Sequence, residues 1–225
     1  MLWGDRFSLT VAVLAGLLTT VLATIVGMTA GYVGGWVDDC LGMVMNVFLV
    51  VPLIIITSYA PASANNLEGD AVKMIMVIGI TGSAWGGRVL RAQTLSLKNR
   101  DYVLAAKVAG ESTPRIIFAE VLPNMISLMA NTFIMSALGA IITEAGLEFL
   151  GLGDVNNITW GVMLHQAQTG SSLAVGEWWD FTAPGLAIAL TAALMLINNG
   201  IDVISNPKLR VVRVRLGSHA RREAA

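Results

Sequence analysis

The sequence is poor in charge, histidine and cysteine. Only 13% of its 225 residues are Asp, Glu, Lys or Arg, about half the share that coats a soluble domain. That excludes a soluble monomeric enzyme and a disordered chain. The net charge of −1 provides no basic field, so nucleic acid is excluded as a partner. The lone Cys40 excludes an internal disulfide and a thiolate metal site. His165 and His219 are the only histidines, and no HExxH helix is present, so no metal site is expected. No GxxxxGK[ST] loop exists either, so the chain binds no nucleotide on a phosphate loop of its own. No catalytic residue, cofactor or metal is expected on this chain.

What remains is apolar. Hydrophobic residues make up 55% of the chain, and the mean hydropathy is +0.70. Charges punctuate it into uncharged runs: 7–37, 40–67, 74–87, 121–143 and 181–201. A bilayer's hydrocarbon needs about 20 helical residues to cross. Four runs reach that length. The short third run is extended by Lys73 and Arg88, whose long stems snorkel. A sixth uncharged run, 155–176, carries Asn156, Asn157, His165, Gln166 and Gln168, and reads as an extramembrane or re-entrant segment. The expected fold is therefore all-α: a polytopic helical membrane protein with about five spans near 9–31, 41–60, 72–90, 122–143 and 182–203. The first run lacks a basic start and is too long for a cleavable signal. Continuous apolar runs, as opposed to short alternating ones, argue against a barrel.

Orientation follows from the basic residues. Six of the fourteen Lys and Arg fall in 88–115 and six in 208–222, while 144–180 has none but contains Asp154, Glu177 and Asp180. The positive-inside rule places the loop after span three and the C-terminus in the cytoplasm. The N-terminus is then outside, and the short loop Gly34–Asp39 is cytoplasmic although it carries only Asp38 and Asp39. An outside N-terminus starting directly on a span points to a preceding helix or to a first span that inserts without its usual partner. The tail 204–225, with Arg210, Arg213 and Arg215, reads as a basic cytoplasmic anchor for anionic lipid.

The longest cytoplasmic loop, 99–120, reads as two short helices. Asp101 is placed to cap the first, Tyr102 to Ala109, which stops at Gly110. Ser112 or Thr113 caps the second, with Pro114 near its first position and an end near Pro123. Ala105 and Ala106 expose little bulk to an approaching partner.

Leu104-Ala105-Ala106, three residues, Gly110, nine residues, then Glu120-Val121-Leu122-Pro123 resembles the EAA loop of bacterial ABC importer permeases. Leu104 stands where the family usually has Glu, and Glu120 where it has an apolar residue. Gly31 to Asp38 followed by Pro52, Phe149-Leu150-Gly151-Leu152-Gly153, Trp160-Gly161, Pro184 to Ile188, and Gly200-Ile201-Asp202 with Asn206-Pro207 are similar to the dipeptide/oligopeptide permease family, and within it to the shorter, second permease subunit. Family members often carry an Arg and an Asp three residues apart before the position of Pro52. Here Met43 and Asn46 occupy those places. The resemblance implies a non-catalytic permease subunit in the bacterial inner membrane that works with a second permease subunit, two ATP-binding subunits and an extracytoplasmic solute-binding protein. ATP and Mg would sit on the ATPase partners. It also implies coupling through Tyr102, Ala105, Ala106, Gly110, Glu111, Leu122 and Pro123, with peptides, nickel or oligosaccharides as cargo.

Polar residues within apolar runs usually face the bundle interior or a wet cavity. Asn46, Asn131, Ser136, Glu144 and Asn198 are therefore candidates for a translocation path. Phe149, Gly151, Gly153 and Trp160, in the outer segment 144–180, are candidates for an outer gate. Trp160, Trp178 and Trp179 offer rings to the interface or to a docking protein. Gly151-Leu152-Gly153-Asp154 also reads as the GxGD of intramembrane proteases, but such chemistry needs a second carboxylate close by. Asp202 is about 25–30 Å away along the last span. A secondary transporter or scaffold is the other alternative; the former requires a carboxylate near mid-membrane, whereas Glu144 and Asp202 are expected at span ends. Gly27 to Gly31 and Gly31 to Gly35 are small-xxx-small steps suited to close packing within the chain.

Overall fold

The structure is a computed structural model, which describes residues 2–51, 55–56, 67–152 and 159–205. Pro52, Gly153, Asp154, Asn206, Pro207 and the basic tail lie outside the described residues. Those described form helices and turns, with no strand among them. The helices are α1 (Leu2–Val33), α2 (Gly35–Val50), α3 (Leu67–Leu97), α4 (Asp101–Val108), α5 (Ile126–Phe149), α6 (Trp160–Thr169) and α7 (Thr182–Ser205). Among the described residues three segments are long and apolar enough to cross a membrane: Arg6–Val33, Thr113–Phe149 and Trp178–Asn198. The chain is a polytopic helical membrane protein.

Helices α1 and α3 run side by side in the same direction and form the spine. The step Gly27–Gly31 makes this possible. A Cβ on Gly27 would lie 2.5 Å from the Gly87 carbonyl oxygen, and one on Gly31 would lie 2.8 Å from that of Arg91. Backbones this close gain packing contacts that larger side chains would prevent. The small-residue step therefore serves packing within the chain. The second step, Gly31 to Gly35, does something else. Gly34 and Gly35 have φ of 72° and 57°, a left-handed pair that only glycine adopts readily. The expected loop Gly34–Asp39 is thus a one-residue break between helices, and Asp38 stands on the first turn of α2 with Asp39 next along the helix.

Helix α5 lies against the spine on its other side. Two cores result. One joins Val11, Ala15, Ile78, Ile141, Leu147 and Trp160. The other, at the end bearing the basic loop, joins Met28, Tyr32, Leu90, Val103, Ile116 and Met125. Threonines in the helices satisfy themselves: Thr20, Thr94, Thr132 and Thr191 each donate to the carbonyl four residues back, at 2.8–2.9 Å. In lipid no water is present to take that role.

The segment expected to end near Pro123 does not end. It runs on helically from Thr113 through a π turn (Ile116–Val121) and a 3-10 turn (Leu122–Met125) into α5. Pro123 offers no N–H, so the ladder re-registers around it. Leu122 N–H donates to the Ile117 carbonyl across the wider turn, and the Asn124 side-chain amide donates to the Glu120 carbonyl at 2.7 Å. The expected start of the outer segment at residue 144 shifts likewise, because α5 continues to Phe149.

Gly27→Val tests the spine. The added side chain must push apart two backbones, and overpacking of this kind costs about 1–3 kcal/mol. A drop in the thermal midpoint of the detergent-purified protein is expected, with Gly42→Val, which has open space around it, as the control that stays near wild type.

Candidate functional site

Between α2 and α3 runs a groove with two chambers. The first, about 470 Å3, is lined by Thr19, Thr81, Trp85, Ser136, Thr143 and apolar neighbours from α1, α2, α3 and α5. The second, about 550 Å3, lies nearer the basic loop and is lined by Asp38, Asp39, Asn46, Arg88 and Arg91 with Gly42, Met43 and Met45. Thr81, Trp85, Arg88 and Arg91 follow one another at helical spacing along one face of α3, which is why a single helix lines both chambers.

Polar rungs join α2 to α3 across the charged chamber. Arg91 closes bidentately on Asp38, with Nε to Oδ1 at 2.5 Å and the second nitrogen to Oδ2 at 2.6 Å. Arg88 donates to the Asn46 side-chain carbonyl. Beneath them Met45 is the one buried residue of α2, and it reaches Gly87, where a Cβ would meet its sulfur at 2.9 Å. The Arg91 guanidinium, bonded to Asp38, holds that carboxyl below the usual carboxylate range, with Lys98 adding to the effect. Lys98 also stands over the Tyr32 ring, 5.7 Å from its centroid.

The structure sorts the expected path residues. Asn46 and Ser136 line the groove. Asn131 and Asn198 do not; they bond to each other at 2.8 Å and tie α5 to α7, as polar residues do between helices in lipid. Glu144 is 1% exposed on α5, inside the helix and not at its end as expected. Among the described residues neither of its oxygens meets hydrogen-bond geometry, although Ser8 of α1 lies close by.

Phe149 and Trp160 border an apolar cavity of about 500 Å3 between α5, α6 and α7. Trp160 is buried, so its ring is a core element and is not presented to a docking protein. Trp178 and Trp179 are exposed and pack edge to face at 6.0 Å. Gly151, at φ 82°, is a helix stop. Its N–H reaches the Glu148 carbonyl and that of Leu152 the Leu147 carbonyl, while Leu152 packs back onto the core.

Among the coupling candidates, α4 starts at Asp101, so the extended Arg100 precedes it and no side chain caps it; the Asp101 carboxylate instead favours the helix N-terminus through its charge. Ser112 takes the cap position of the next turn, with Pro114 in that turn and no side-chain bond. Gly110 has φ 80°, and the bonds Gly110 to Lys107 and Glu111 to Ala106 close the turn, the left-handed stop the sequence suggested. Ala106 and Leu122 pack on the core beside Val103, Ile116 and Val121. Tyr102, Ala105 and Pro123 face outward. Glu111 pairs with Arg115 at 3.5 Å. Around them Leu104, Val108 and Phe118 are exposed, Val108 to 89% and Phe118 to 65%.

The sequence reading missed Trp85, Arg88 and Arg91 as groove residues. It took Arg88 as a snorkelling residue at the end of the third span and Arg91 as a loop charge, but α3 continues to Leu97. The signal available was the i, i+3 and i+4 spacing of Thr81, Trp85, Arg88 and Arg91, which only a helix puts on one face.

Asp38→Asn tests the rung. A carboxyl with a lowered pKa stabilises the folded state fully above its unfolded value of about 3.9, and that stability is lost as pH falls through the lower folded value. Acid titration of thermal stability should therefore show a shallower loss below about pH 4 in Asp38→Asn than in wild type, with lower stability at neutral pH.

Residues 23–211 match the family described as binding-protein-dependent transport system inner membrane component. The chain is similar to the dipeptide transport system permease protein DppC of Bacillus subtilis, at 32% identity over 92% of this chain and 64% of that one. It is similar also to the oligopeptide transport system permease protein OppC of Mycobacterium tuberculosis strain H37Rv, at 30% over 93% of this chain and 72% of the relative. The di/tripeptide transport system permease protein DppC of Pseudomonas aeruginosa matches at 33% over 74% of this chain and 54% of the relative. The chain thus spans just under two thirds of the Bacillus protein's length. With a grooved helical bundle, a glycine-stopped loop and a match over most of its residues, the chain belongs to the family of binding-protein-dependent transport system inner membrane components.

Proposed function

We propose that the chain is one membrane-spanning subunit of an ATP-driven importer of dipeptides or oligopeptides. It forms half of the translocation path and performs no covalent chemistry. ATP and Mg are bound by two ATPase subunits; a second permease subunit and an extracytoplasmic solute-binding protein complete the assembly. The chain crosses the bacterial inner membrane five times, with the 98–125 segment and the C-terminus in the cytoplasm. The relatives' names, all peptide permeases, support the cargo.

The observation that carries this reading is the 101–121 segment. Its inner side is seated on the bundle core through Val103, Ile116, Ile117 and Val121. Its outer side presents Tyr102, Leu104, Val108 and Phe118, an apolar rim on a basic loop. A rim of exposed large apolar side chains signals an interaction surface, and a segment fixed to the bundle on its other side moves it as a lever. An ATPase cleft is the partner that fits. The exposed Trp178 and Trp179 at the far end support a membrane-interface belt there.

Two experiments test the reading. The purified chain alone should hydrolyse no ATP, whereas the assembled complex should do so and be stimulated by loaded binding protein. In Gly110→Val, a β-branched residue is forced into the left-handed turn at a cost of about 1 kcal/mol or more. The complex should insert normally yet hydrolyse ATP without transport, or fail to assemble. Wild-type transport by Gly110→Val would reduce the segment to a linker.

Topology is tested separately, in a Cys40→Ser background. Asn99→Cys should be protected from a membrane-impermeant thiol reagent in intact cells and Ser171→Cys labelled. The reverse pattern would invert the orientation and remove the segment from the ATPase side.

A further inference from the structure

The charged chamber of the groove contains charges of both signs, and they divide into paired and unpaired. Arg91 is neutralised by Asp38 through two hydrogen bonds. Arg88, one turn away and exposed, donates to Asn46, a neutral amide. Among the described residues the ion pairs are Asp38–Arg91 and Glu111–Arg115, so no carboxylate offsets the Arg88 charge by direct contact. Asp39 is exposed and likewise makes no ion pair among the described residues; it acts on Arg91 only through its field. One guanidinium and one carboxylate thus face a single chamber of about 550 Å3. That volume lies within the range of about 300–1,000 Å3 typical of small-molecule sites.

The arrangement is selective in kind. A guanidinium whose neighbour is an amide keeps its attraction for a carboxylate, and its planar fork matches both carboxylate oxygens. Were Asn46 an acid, Arg88 would be internally neutralised. Met43 and Gly42 add no charge to the lining. We propose that this chamber is a binding station for the ends of a zwitterionic peptide, Arg88 receiving the terminal carboxylate and Asp39 the terminal ammonium. It rests on the importer reading above. The chamber follows the hydroxyl-bearing one and lies toward the basic loop, so it is the last station before release. Exposed charges screened by water hold weakly, which suits a site that must let go.

The test uses the complete complex in liposomes, loaded binding protein outside, and three probes: trialanine, trialanine amide and N-acetyl-trialanine. The binding protein is the same in every measurement, so a change in the ratio of uptake rates between variants reports this subunit. Arg88→Gln should lower the ratio of trialanine to trialanine amide by about threefold, the effect of losing about 0.7 kcal/mol of selective contact. Asp39→Asn should lower the ratio of trialanine to N-acetyl-trialanine by a similar factor, and should leave the amide ratio as in wild type. Asp39 is exposed and outside the α2–α3 rungs, so that arm stands even where Arg88→Gln loses assembly. Ratios unchanged in Asp39→Asn overturn the station while wild-type uptake leaves the importer reading standing. A wild-type complex that moves none of the probes sinks the peptide reading and the station with it.

Discussion

The close approach of α1 to α3 sets the rest of the structure. Two backbones meet at Gly27 and Gly87 with no room for a single added carbon. Because α1 and α3 cannot separate or slide there, Gly86 comes against Ala23, and Thr19 bridges to the Gly79 carbonyl at 3.2 Å. Helix α5 then packs against α1 at Gly16, where a Cβ would meet Ala137 at 3.0 Å. The wall of the groove is the face of α3 that this contact leaves turned away from α1. Van der Waals packing at small residues drives association in lipid, where the hydrophobic effect does not pull helices together, so the glycines carry the load that a leucine core carries in water.

Lipid imposes a second constraint: polar atoms away from water need partners inside the protein. Most of this chain obeys it locally, through threonines folded back on their own helices and the Asn131–Asn198 pair. The charged chamber departs from it in a readable way. Arg91 and Asp38 answer each other, whereas Arg88 and Asp39 are exposed to the groove, which makes that groove a place for water and polar cargo.

Much of this was legible in the sequence, and what was not has physical causes. The all-helical membrane class, the helix stop at Gly110 and the small-residue step at Gly27–Gly31 each rest on local chemistry: long apolar runs, a left-handed φ, a missing Cβ. The failures needed knowledge of neighbours. Pro123 marked a break by its missing N–H, yet the Leu122 N–H and the Asn124 side chain reorganised the ladder around it. Asn131 and Asn198 are 67 residues apart, and nothing local shows that they spend their polarity on each other. Trp160 read as an interfacial ring because three tryptophans fall in one polar segment; only the packing of α6 on α5 separates it from Trp178 and Trp179. The charge at 91 read as loop because hydropathy ends where α3 does not.

The same packing fixes how a push on the 101–121 segment travels. Val103, Ile116 and Val121 share a core with Tyr32 and Leu90, so the segment is continuous with the C-terminal ends of α1 and α3. Helix α2 is not part of that core. It follows two left-handed glycines, buries Met45 alone, and is held to α3 by two side-chain rungs. In the importer reading proposed above, a displacement delivered at Phe118 would move α1 and α3 as one body, since their backbones are in contact, and would strain the joint to α2. Packed cores shift between discrete arrangements and do not stretch. Beyond the pair Gly34–Gly35 the α2 wall meets α3 through side chains, at the two rungs and at Met45 against Gly87, and not backbone to backbone as α1 does.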